Sequence, residues 1–261
     1  MAGKTAEAPD YSVPALEKAF DVIELLAEQK DGLNQGQIAE AVGRSIHQIY
    51  RVLQALERRG YIFRDRPAGL YFLSTRLFEL AHRHEPLRGL VQAALPSMRR
   101  LSDAIQQSCN LGVHNAGRVL ILAQVESPAA FGFRVRVGAE FPLFATATGR
   151  TLMAFQPQDR VSQWLQVSGV VHEKVEVERA LGRVRAAGHE EVADGLQPGV
   201  IDLAFPVIGP FGHSVAALTV PYVATTYSTL DLATVRRHAA HAAQEIRLVL
   251  APEPSGQSEA S

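Results

Sequence analysis

The segment 34–73, NQGQIAEAVGRSIHQIYRVLQALERRGYIFRDRPAGLYFL, limits the possible folds of this chain more than any other part of it. Asn34 is a favourable N-cap for a short helix, and Gly43 supplies the permissive backbone that a tight turn between helices needs. Ser45 and Gln48 have the spacing of a capping box at the start of a second helix. The pattern therefore predicts a helix-turn-helix.

The second predicted helix has an apolar face and a polar face. Its apolar residues repeat at 3-4-3 spacing, which predicts a core-facing stripe of Ile46, Ile49, Leu53 and Leu56. The opposite face is rich in basic and amide side chains, which suit base edges and phosphates. Together with its flanking residues, this face supplies the candidate DNA-binding residues Arg44, Ser45, His47, Gln48, Tyr50, Arg51, Gln54, Arg64 and Arg66.

A short hairpin, a wing, is predicted after the second helix, with strands at 61–63 and 70–73 around an Arg-Pro-Ala-Gly turn. From Arg44 to Arg66 the sequence holds six arginines and two acidic residues, whereas the whole chain has a net charge of -1. Any DNA footprint must therefore be local. The alternative is a helix pair inside an ordinary helical domain, where terminal arginines only offset the helix dipole.

The rest of the chain is long enough for a second domain. With 261 residues and 47% hydrophobic content, the chain can build two cores. The predicted organisation is a winged helix-turn-helix at 10–73, a linker helix at 74–86, an α+β domain at 87–250 and a disordered tail at 251–261.

Periodicity and turn residues place the elements outside the helix-turn-helix. The first domain begins with a helix at 13–29, whose predicted buried stripe is Val13, Leu16, Phe20, Ile23 and Leu26. The second domain is predicted to have helices at 87–107, 146–155, 174–187 and 230–250. Its predicted strands are 109–114, 118–125, 131–137, 201–207 and 213–220.

Several features bear on the cellular environment and on metals. A single cysteine and an N-terminus without an apolar stretch favour a cytoplasmic protein without disulfides or a secretory signal. The uncharged run 203–230 is broken by glycine and proline, which favours soluble paired strands over a membrane span. No metal or cofactor is predicted, because no ligand spacing includes His114, His172, His189 or His213.

Several motifs in order resemble the IclR family of bacterial transcriptional regulators. They are VPALEKAFDVIELLAE, LNQGQIAEAVGRS with IYRVLQALERRGYI, FPLFATATGRTLMAF, and GVIDLAFPV with ALTV. The resemblance covers nearly the whole chain. It implies an N-terminal winged helix, a linker helix and a C-terminal GAF-like domain that binds a small-molecule effector such as an organic acid or sugar acid. It also implies a homodimer or a dimer of dimers on palindromic operator DNA near catabolic operons.

The resemblance also implies an effector site at the start of the helix in ATATGR. There, backbone amides of Ala147, Thr148 and Gly149 would face an anionic group of the ligand, as helix N-termini favour. The alternative is a small-residue helix start that only packs against the sheet. Asp202 and Thr219 are the further effector-binding candidates on the predicted strands.

The predicted strands depart from the family pattern in three places. The family often has Cys or Ser where this chain has Asp202, an acid at Val192 and Ser at Pro221. A carboxylate in an apolar strand is costly unless it is paired, so Asp202 would contact a ligand, help to bind a metal, or pair with an arginine such as Arg150. These departures argue against simple small keto acids as effectors.

Two other functions compete with a DNA-binding regulator. An enzyme would need a catalytic constellation, but the chain has no GxSxG, P-loop or dinucleotide GxGxxG motif. Cys109 near His114 is the remaining candidate nucleophile, although a buried structural thiol fits its apolar strand better. The third hypothesis is a protein-interaction module, in which the winged helix binds protein rather than DNA. The sequence favours a regulator that is not an enzyme and leaves open whether it represses or activates.

Overall fold

A computed structural model describes residues 13–83, 85–171, 173–225 and 230–250. The chain divides into two compact units, Met1–Arg88 and Gly89–Ser261. The predicted tail 251–261, residues 10–12 of the predicted first domain and His172 lie outside the described residues.

The described residues of the first unit form helices and a two-stranded sheet. Its elements are α1 (Pro14–Ala27), α2 (Gln35–Ala41), α3 (Ile46–Arg58), β1 (Ile62–Asp65), β2 (Leu70–Leu73) and α4 (Arg76–Arg83). The strands are antiparallel, with Ile62 opposite Leu73. This is a winged helix-turn-helix followed by a further helix, as the sequence predicts.

Local hydrogen bonds fix the two helices of the motif. The Asn34 side chain accepts from the Gln37 backbone N–H at 3.0 Å, and the Gln37 side chain accepts from the Asn34 N–H at 2.9 Å. This capping box starts α2. Gly43 adopts φ +62° in the turn, and the Ser45 hydroxyl caps α3 by accepting from the Gln48 N–H at 3.4 Å.

The core of the first unit is smaller than the sequence predicts. Its buried residues include Val22, Leu26, Ile38, Ile49, Leu53, Leu56, Ile62 and Tyr71. Ile46 is 55% exposed, because the first turn of α3 projects beyond the core. Val13, Leu16 and Phe20, predicted to be buried, are each about half exposed. They line an open groove rather than the core.

The second unit is built on a six-stranded sheet. Its elements are α5 (Glu85–Ile105), β3 (Cys109–Asn115), β4 (Arg118–Val125), β5 (Glu140–Pro142), α6 (Ala147–Ala154), α7 (Gln158–Val167), α8 (Lys174–Ala187), β6 (Glu190–Ala193), β7 (Val200–Ile208), β8 (Ser214–Val223) and α9 (Leu232–Leu250). The strand order is β5-β4-β3-β8-β7-β6, and all neighbours are antiparallel.

Helices cover both faces of this sheet. Residues of α5 and α9, such as Met98 and Ala239, form one core with Leu218 of β8. Residues of α6 and α8 form a second core on the opposite face, with Ala217 of β8. Alternation along β8 therefore places Thr219 on the face that α6 covers. Helices on both sides of an antiparallel sheet give the α+β, GAF-like fold that the sequence predicts.

Three predictions for the second unit need correction. Residues 131–137 do not form a strand, and the short strand β5 begins later, at Glu140. The helix α7 and the edge strand β6 were not predicted at all. The predicted pairing within 203–230 is confirmed by β7 and β8, where Leu203 lies opposite Val220. Among the described helices, none is long and apolar enough to cross a membrane.

Candidate functional site

The outward face of α3 is the first candidate site. All nine predicted DNA-binding residues of this unit are exposed, and Tyr50 retains 47% of its accessible surface. The Gln54 side-chain amide donates to the Tyr50 hydroxyl at 2.7 Å, which fixes both side chains on the same face. Within the described part of the chain, His47, Gln48 and Arg51 have no side-chain partner. Their donors and acceptors are therefore available to a ligand.

The wing presents two arginines in different surroundings. The Arg64 guanidinium lies 5.4 Å from the centre of the Tyr71 ring, a distance typical of a cation–π contact. Burial raises the pKa of Tyr71, and the nearby charge of Arg64 partly offsets this. Arg66 is exposed at the turn of the hairpin. Arg64 is thus held in place while Arg66 is free to reach outward.

An apolar groove lies beside α1, α3 and α4 in the same unit, with a volume of about 1120 Å³. Its walls include Val13, Leu16 and Phe20 of α1 and Leu77 of α4, all at least 37% exposed. Its polar lining includes His47, Gln48 and Arg51 of α3, so the groove adjoins the exposed face of this helix. Exposed apolar surface of this extent is characteristic of an interaction site.

The second candidate site is a cavity of about 310 Å³ over the sheet face that carries the N-terminus of α6. Its apolar walls include Val119, Ile121, Phe133, Val135, Phe141 and Leu196. A mostly apolar cavity of this size with a few polar groups is typical of small-molecule sites.

The structure brings three of the five predicted effector-binding residues to this cavity. Thr148, Asp202 and Thr219 line it, whereas Ala147 and Gly149 do not. The hydroxyl oxygens of Thr148 and Thr219 lie 2.8 Å apart and join α6 to β8.

The amide of Gly149 is not free, contrary to the sequence prediction. It donates to the Thr146 hydroxyl, which caps α6, at 3.0 Å. Gly149 also approaches the backbone so closely that an added Cβ would lie 1.7 Å from the Leu143 carbonyl oxygen. Within the described residues, the amides of Ala147 and Thr148 have no hydrogen-bond partner, so two free N–H groups remain at this helix start.

Asp202 does not pair with Arg150, which was one of the roles considered from the sequence. Arg150 instead forms an ion pair with Glu190, Nε to Oε2 at 2.8 Å, and donates to the Phe144 carbonyl at 2.9 Å. Burial raises the pKa of Asp202, and the field of Arg150 partly offsets this effect. The Asp202 carboxylate has no hydrogen bond or ion pair to any residue that the structure describes.

Asn110 of β3 is a cavity residue that was not predicted. Its side chain is 4% exposed and lines the cavity, yet its buried Oδ1 has no hydrogen-bond partner among the described residues. Asn110 lies opposite Thr219 on one side and Gln124 on the other. A polar residue in the apolar run CNLGV, on the face shared with Thr219, was the available sequence signal.

Two arginines at the cavity, Arg134 and Arg136, were also not predicted. Arg134 forms an exposed ion pair with Glu126, Nε to Oε1 at 3.0 Å. The guanidinium of Arg136 has no carboxylate partner in the part of the chain that the structure describes. A positive group is therefore available at the rim.

Cys109, His114 and His189 have packing roles. The Cys109 thiol donates to the Met98 carbonyl at 3.4 Å, and burial raises its pKa to about 12, which makes it a poor nucleophile. His114 stacks on Trp164 with ring centres 3.8 Å apart, and burial lowers its pKa. His189 stacks on Phe205. The described residues include no cluster of three or more potential metal ligands.

Two family profiles match the chain. Residues 15–66 match the profile described as "IclR helix-turn-helix domain". Residues 87–248 match the profile described as "Bacterial transcriptional regulator IclR C-terminal". The first match runs from α1 through β1 and ends in the turn of the wing, and the second includes all of the six-stranded sheet and most of α9.

Individual relatives and solved structures are similar to this chain over most of its length. The chain is 26% identical over 238 residues to the HTH-type transcriptional regulator KdgR of Escherichia coli (strain K12), and this covers 87% of the chain and 89% of that protein. Pseudomonas aeruginosa HmgR has a similar fold, with a TM-score of 0.71, 23% identity, and coverage of 92% of this chain and 100% of the other. An IclR homolog from Microbacterium hydrocarbonoxydans, crystallised in complex with 4-hydroxybenzoate, gives a TM-score of 0.72 at 22% identity, over 90% of this chain and 98% of the other.

Proposed function

Because the chain belongs to the IclR family of bacterial transcriptional regulators, we propose that its first domain binds a palindromic operator and that a small effector in its second domain controls this binding. The proposed boundaries are 10–73 for the winged domain, 74–86 for the linker helix and 87–250 for the effector domain. The proposed location is the cytoplasm, where both DNA and catabolic effectors are available. The effector would change operator affinity only as far as it discriminates between two arrangements of the protein.

The outward face of α3 carries the proposal for DNA binding. Gln48 and Arg51 are exposed and unpaired among the described residues, and both suit direct base contact, Gln to adenine and Arg to guanine. Ser45, Arg44 and the wing arginines are assigned to phosphate or minor-groove contacts, which position the helix without reading sequence. Tyr50 and Gln54, joined by their hydrogen bond, complete the proposed reading face.

Fluorescence anisotropy with the DNA upstream of its own gene and with an unrelated duplex tests this proposal. We expect Gln48→Ala to weaken binding to the specific duplex by about 1 to 3 kcal/mol and to leave the unrelated duplex nearly unchanged. Arg51→Ala should do the same if Arg51 reads a base. If it contacts phosphate, both duplexes should bind more weakly, and the salt slope should fall by about one.

Arg179→Ala is the matched control, because Arg179 is an exposed arginine of α8 in the other unit. It removes the same charge and should leave both affinities unchanged. If Gln48→Ala and Arg51→Ala bind both duplexes like the wild type, the assigned reading face is wrong.

The cavity over the sheet is the proposed effector site. The free amide of Thr148 lines the cavity at a helix N-terminus, which suits a carboxylate, and the free amide of Ala147 is next to it in the sequence. Thr219 and Asp202 supply polar groups on the sheet side, while Gly149 contributes close packing rather than a ligand contact. An IclR homolog of similar fold binds 4-hydroxybenzoate, a small acid, which supports an acid group in the effector of this chain.

The apolar groove of the first unit supports self-association. Helix-turn-helix proteins usually bind two half-sites as a dimer, and such a dimer needs an apolar contact surface. Val13, Leu16, Phe20 and Leu77 offer one, and a second copy of the chain is proposed to contact these apolar residues, which leaves Gln48 and Arg51 on the α3 wall of the groove for DNA. A dimer of dimers would need a further contact elsewhere.

A further inference from the structure

Two polar side chains on the strands that line the cavity have no partner within the described part of the chain. They are Asp202 of β7 and Asn110 of β3, and both line the same 310 Å³ space. We propose that the effector is a small zwitterion of the amino-acid type, whose protonated amine binds Asp202 and whose carboxylate binds the N-terminus of α6. This inference rests on the proposed function of the cavity as the effector site.

Asp202 sets the requirement for a positive group. A carboxylate inside a mostly apolar cavity is costly without a counter-charge or strong hydrogen-bond donors. Arg150, whose charge acts on the Asp202 carboxyl, is already held by Glu190 at 2.8 Å and by the Phe144 carbonyl. A ligand ammonium supplies both the charge and three donors.

Asn110 adds a second polar group near the same place. Asn110 of β3 lies opposite Thr219 of β8. Two residues further along β8, Pro221 lies opposite Asp202 of β7. Residues two apart on a strand share a face, so Asn110 and Asp202 lie on the same side of the sheet. The Asn110 side chain is 4% exposed, and a buried polar group of this kind is rarely left unsatisfied in a native complex.

The side of the cavity where α6 begins suits a negative group. The amide of Thr148, a cavity residue, is unpartnered within the described residues, as is that of the neighbouring Ala147, and the helix dipole of α6 adds positive potential there. Arg136 lines the cavity as well, without a carboxylate partner among the described residues. The site therefore carries one negative group and several positive ones, which matches a zwitterion.

Simpler acids satisfy only part of this arrangement. A monocarboxylic acid with an apolar body would remove water from Asp202 and Asn110 without giving them hydrogen-bond partners. Unpaired buried polar groups are costly, so the cavity should bind such an acid weakly. A dicarboxylic acid brings like charge towards Asp202. The walls, which include Val119, Ile121 and Phe133, favour an apolar side chain on the amino acid.

Isothermal titration calorimetry of the full-length protein tests the inference with matched ligands. The amino acids are valine, leucine, isoleucine, methionine, phenylalanine and tyrosine. For each one that binds, the comparison uses the 2-hydroxy acid and the unsubstituted acid of the same skeleton. We expect at least one amino acid to bind about tenfold more tightly than both of its analogues, since a charged hydrogen bond replaces a neutral one or none.

Asp202→Asn keeps the shape of the side chain and removes its charge. We expect this variant to lose the preference for the amine, while Asp159→Asn, at an exposed position in the first turn of α7, should retain it. The inference is overturned if no amino acid binds, if an analogue binds as tightly as its amino acid, or if Asp202→Asn keeps the preference.

Failure of the proposed function gives a different result. In that case neither the amino acids nor a panel of organic acids that includes 4-hydroxybenzoate would bind to the protein or change its affinity for operator DNA. Binding of an organic acid without an amine, with an effect on operator affinity, would support the effector site and reject the zwitterion.

Discussion

The side-chain hydroxyls of Thr148 and Thr219 lie 2.8 Å apart and connect the first turn of α6 to the central strand β8. Both residues are at most 7% exposed, and both line the cavity. This hydrogen bond therefore belongs to the packing of the domain and to the proposed effector site at once. A ligand that shifts α6 relative to β8 has to lengthen or break this hydrogen bond.

Thr219→Val is expected to affect both stability and ligand binding. Valine has nearly the shape of threonine but cannot form the hydrogen bond, so the Thr148 hydroxyl loses its partner. The expected loss of unfolding free energy is about 1 to 2 kcal/mol, which lowers the thermal midpoint by a few degrees. Effector affinity should fall as well, and thermal denaturation with and without a bound ligand measures both effects.

Thr151→Val is the matched control for this substitution. Thr151 is fully buried on the same helix, and its hydroxyl donates to the Ala204 carbonyl at 3.3 Å, but it does not line the cavity. We expect a similar loss of stability with unchanged effector affinity. Equal losses of affinity in the two variants would mean that the Thr148–Thr219 contact acts only through stability.

Asp202→Asn is expected to stabilise the protein without ligand at neutral pH. Burial raises the pKa of Asp202 above its ordinary value of 3.8, so the folded state binds this proton more tightly than the unfolded state. The wild type therefore loses stability as the pH rises from about the unfolded pKa through the folded pKa. The neutral amide has no such cost.

The stability difference between Asp202→Asn and the wild type should thus be smallest below the unfolded pKa, grow between the two pKa values and stay constant above the folded pKa. Urea denaturation at a series of pH values measures it. A wild type that is more stable than the variant at neutral pH would show that the Asp202 carboxylate already has a partner in the protein.

The parts of the fold that the sequence predicts well have local signals. The helix α8 was predicted at its observed bounds, and Gly188 at φ +75° ends it in the left-handed conformation that favours glycine. The capping residues Asn34 and Ser45 located α2 and α3 for the same reason, because their side chains bond to the backbone within the same turn. In the winged unit, the polar face of α3 could also be predicted, since helical periodicity alone separates it from Ile49 and Leu53.

The cavity could be predicted only in part, because its groups meet through distant contacts. The alternating residues of 131–137 suggest a strand, but the consecutive residues Phe133 to Arg136 all line the cavity, and backbone pairing with β4 begins only near Ala139. The role of Asn110 depends on its neighbours across the sheet, Thr219 and Gln124, which are distant in the sequence. The edge strand β6 has too few residues and too little apolar character to be recognised from its sequence.

Gly149→Ala is expected to destabilise the second domain strongly. The added Cβ would lie 1.7 Å from the Leu143 carbonyl oxygen, which is backbone and cannot rotate away. The start of α6 must move, and the Thr146 cap is lost with it. We expect a loss of about 3 kcal/mol or more, measured by thermal or urea denaturation.

Gly182→Ala is the control for the Gly149→Ala substitution. Gly182 lies within α8, and a Cβ there meets nothing within 4 Å. Alanine should therefore stabilise this helix by about 0.5 to 1 kcal/mol. If Gly149→Ala is as stable as the wild type, the close approach between α6 and Leu143 is not needed by the fold.

Phe20→Ser is expected to weaken self-association. Phe20 is 49% exposed and lines the apolar groove of the first unit, so its removal should cost little stability within one chain. In a two-fold dimer the substitution removes two phenylalanines from the contact, and each contributes about 1.5 kcal/mol or more when fully covered. The dimer dissociation constant should therefore rise by about 100-fold, as measured by analytical ultracentrifugation across a concentration series.

Val171→Ser, at a position that is 97% exposed and outside the groove, should sediment like the wild type. Operator affinity should fall with the dimer in Phe20→Ser, because a monomer contacts only one half-site. An unchanged dissociation constant in Phe20→Ser, with an unchanged thermal midpoint, would exclude the groove as the contact between two copies.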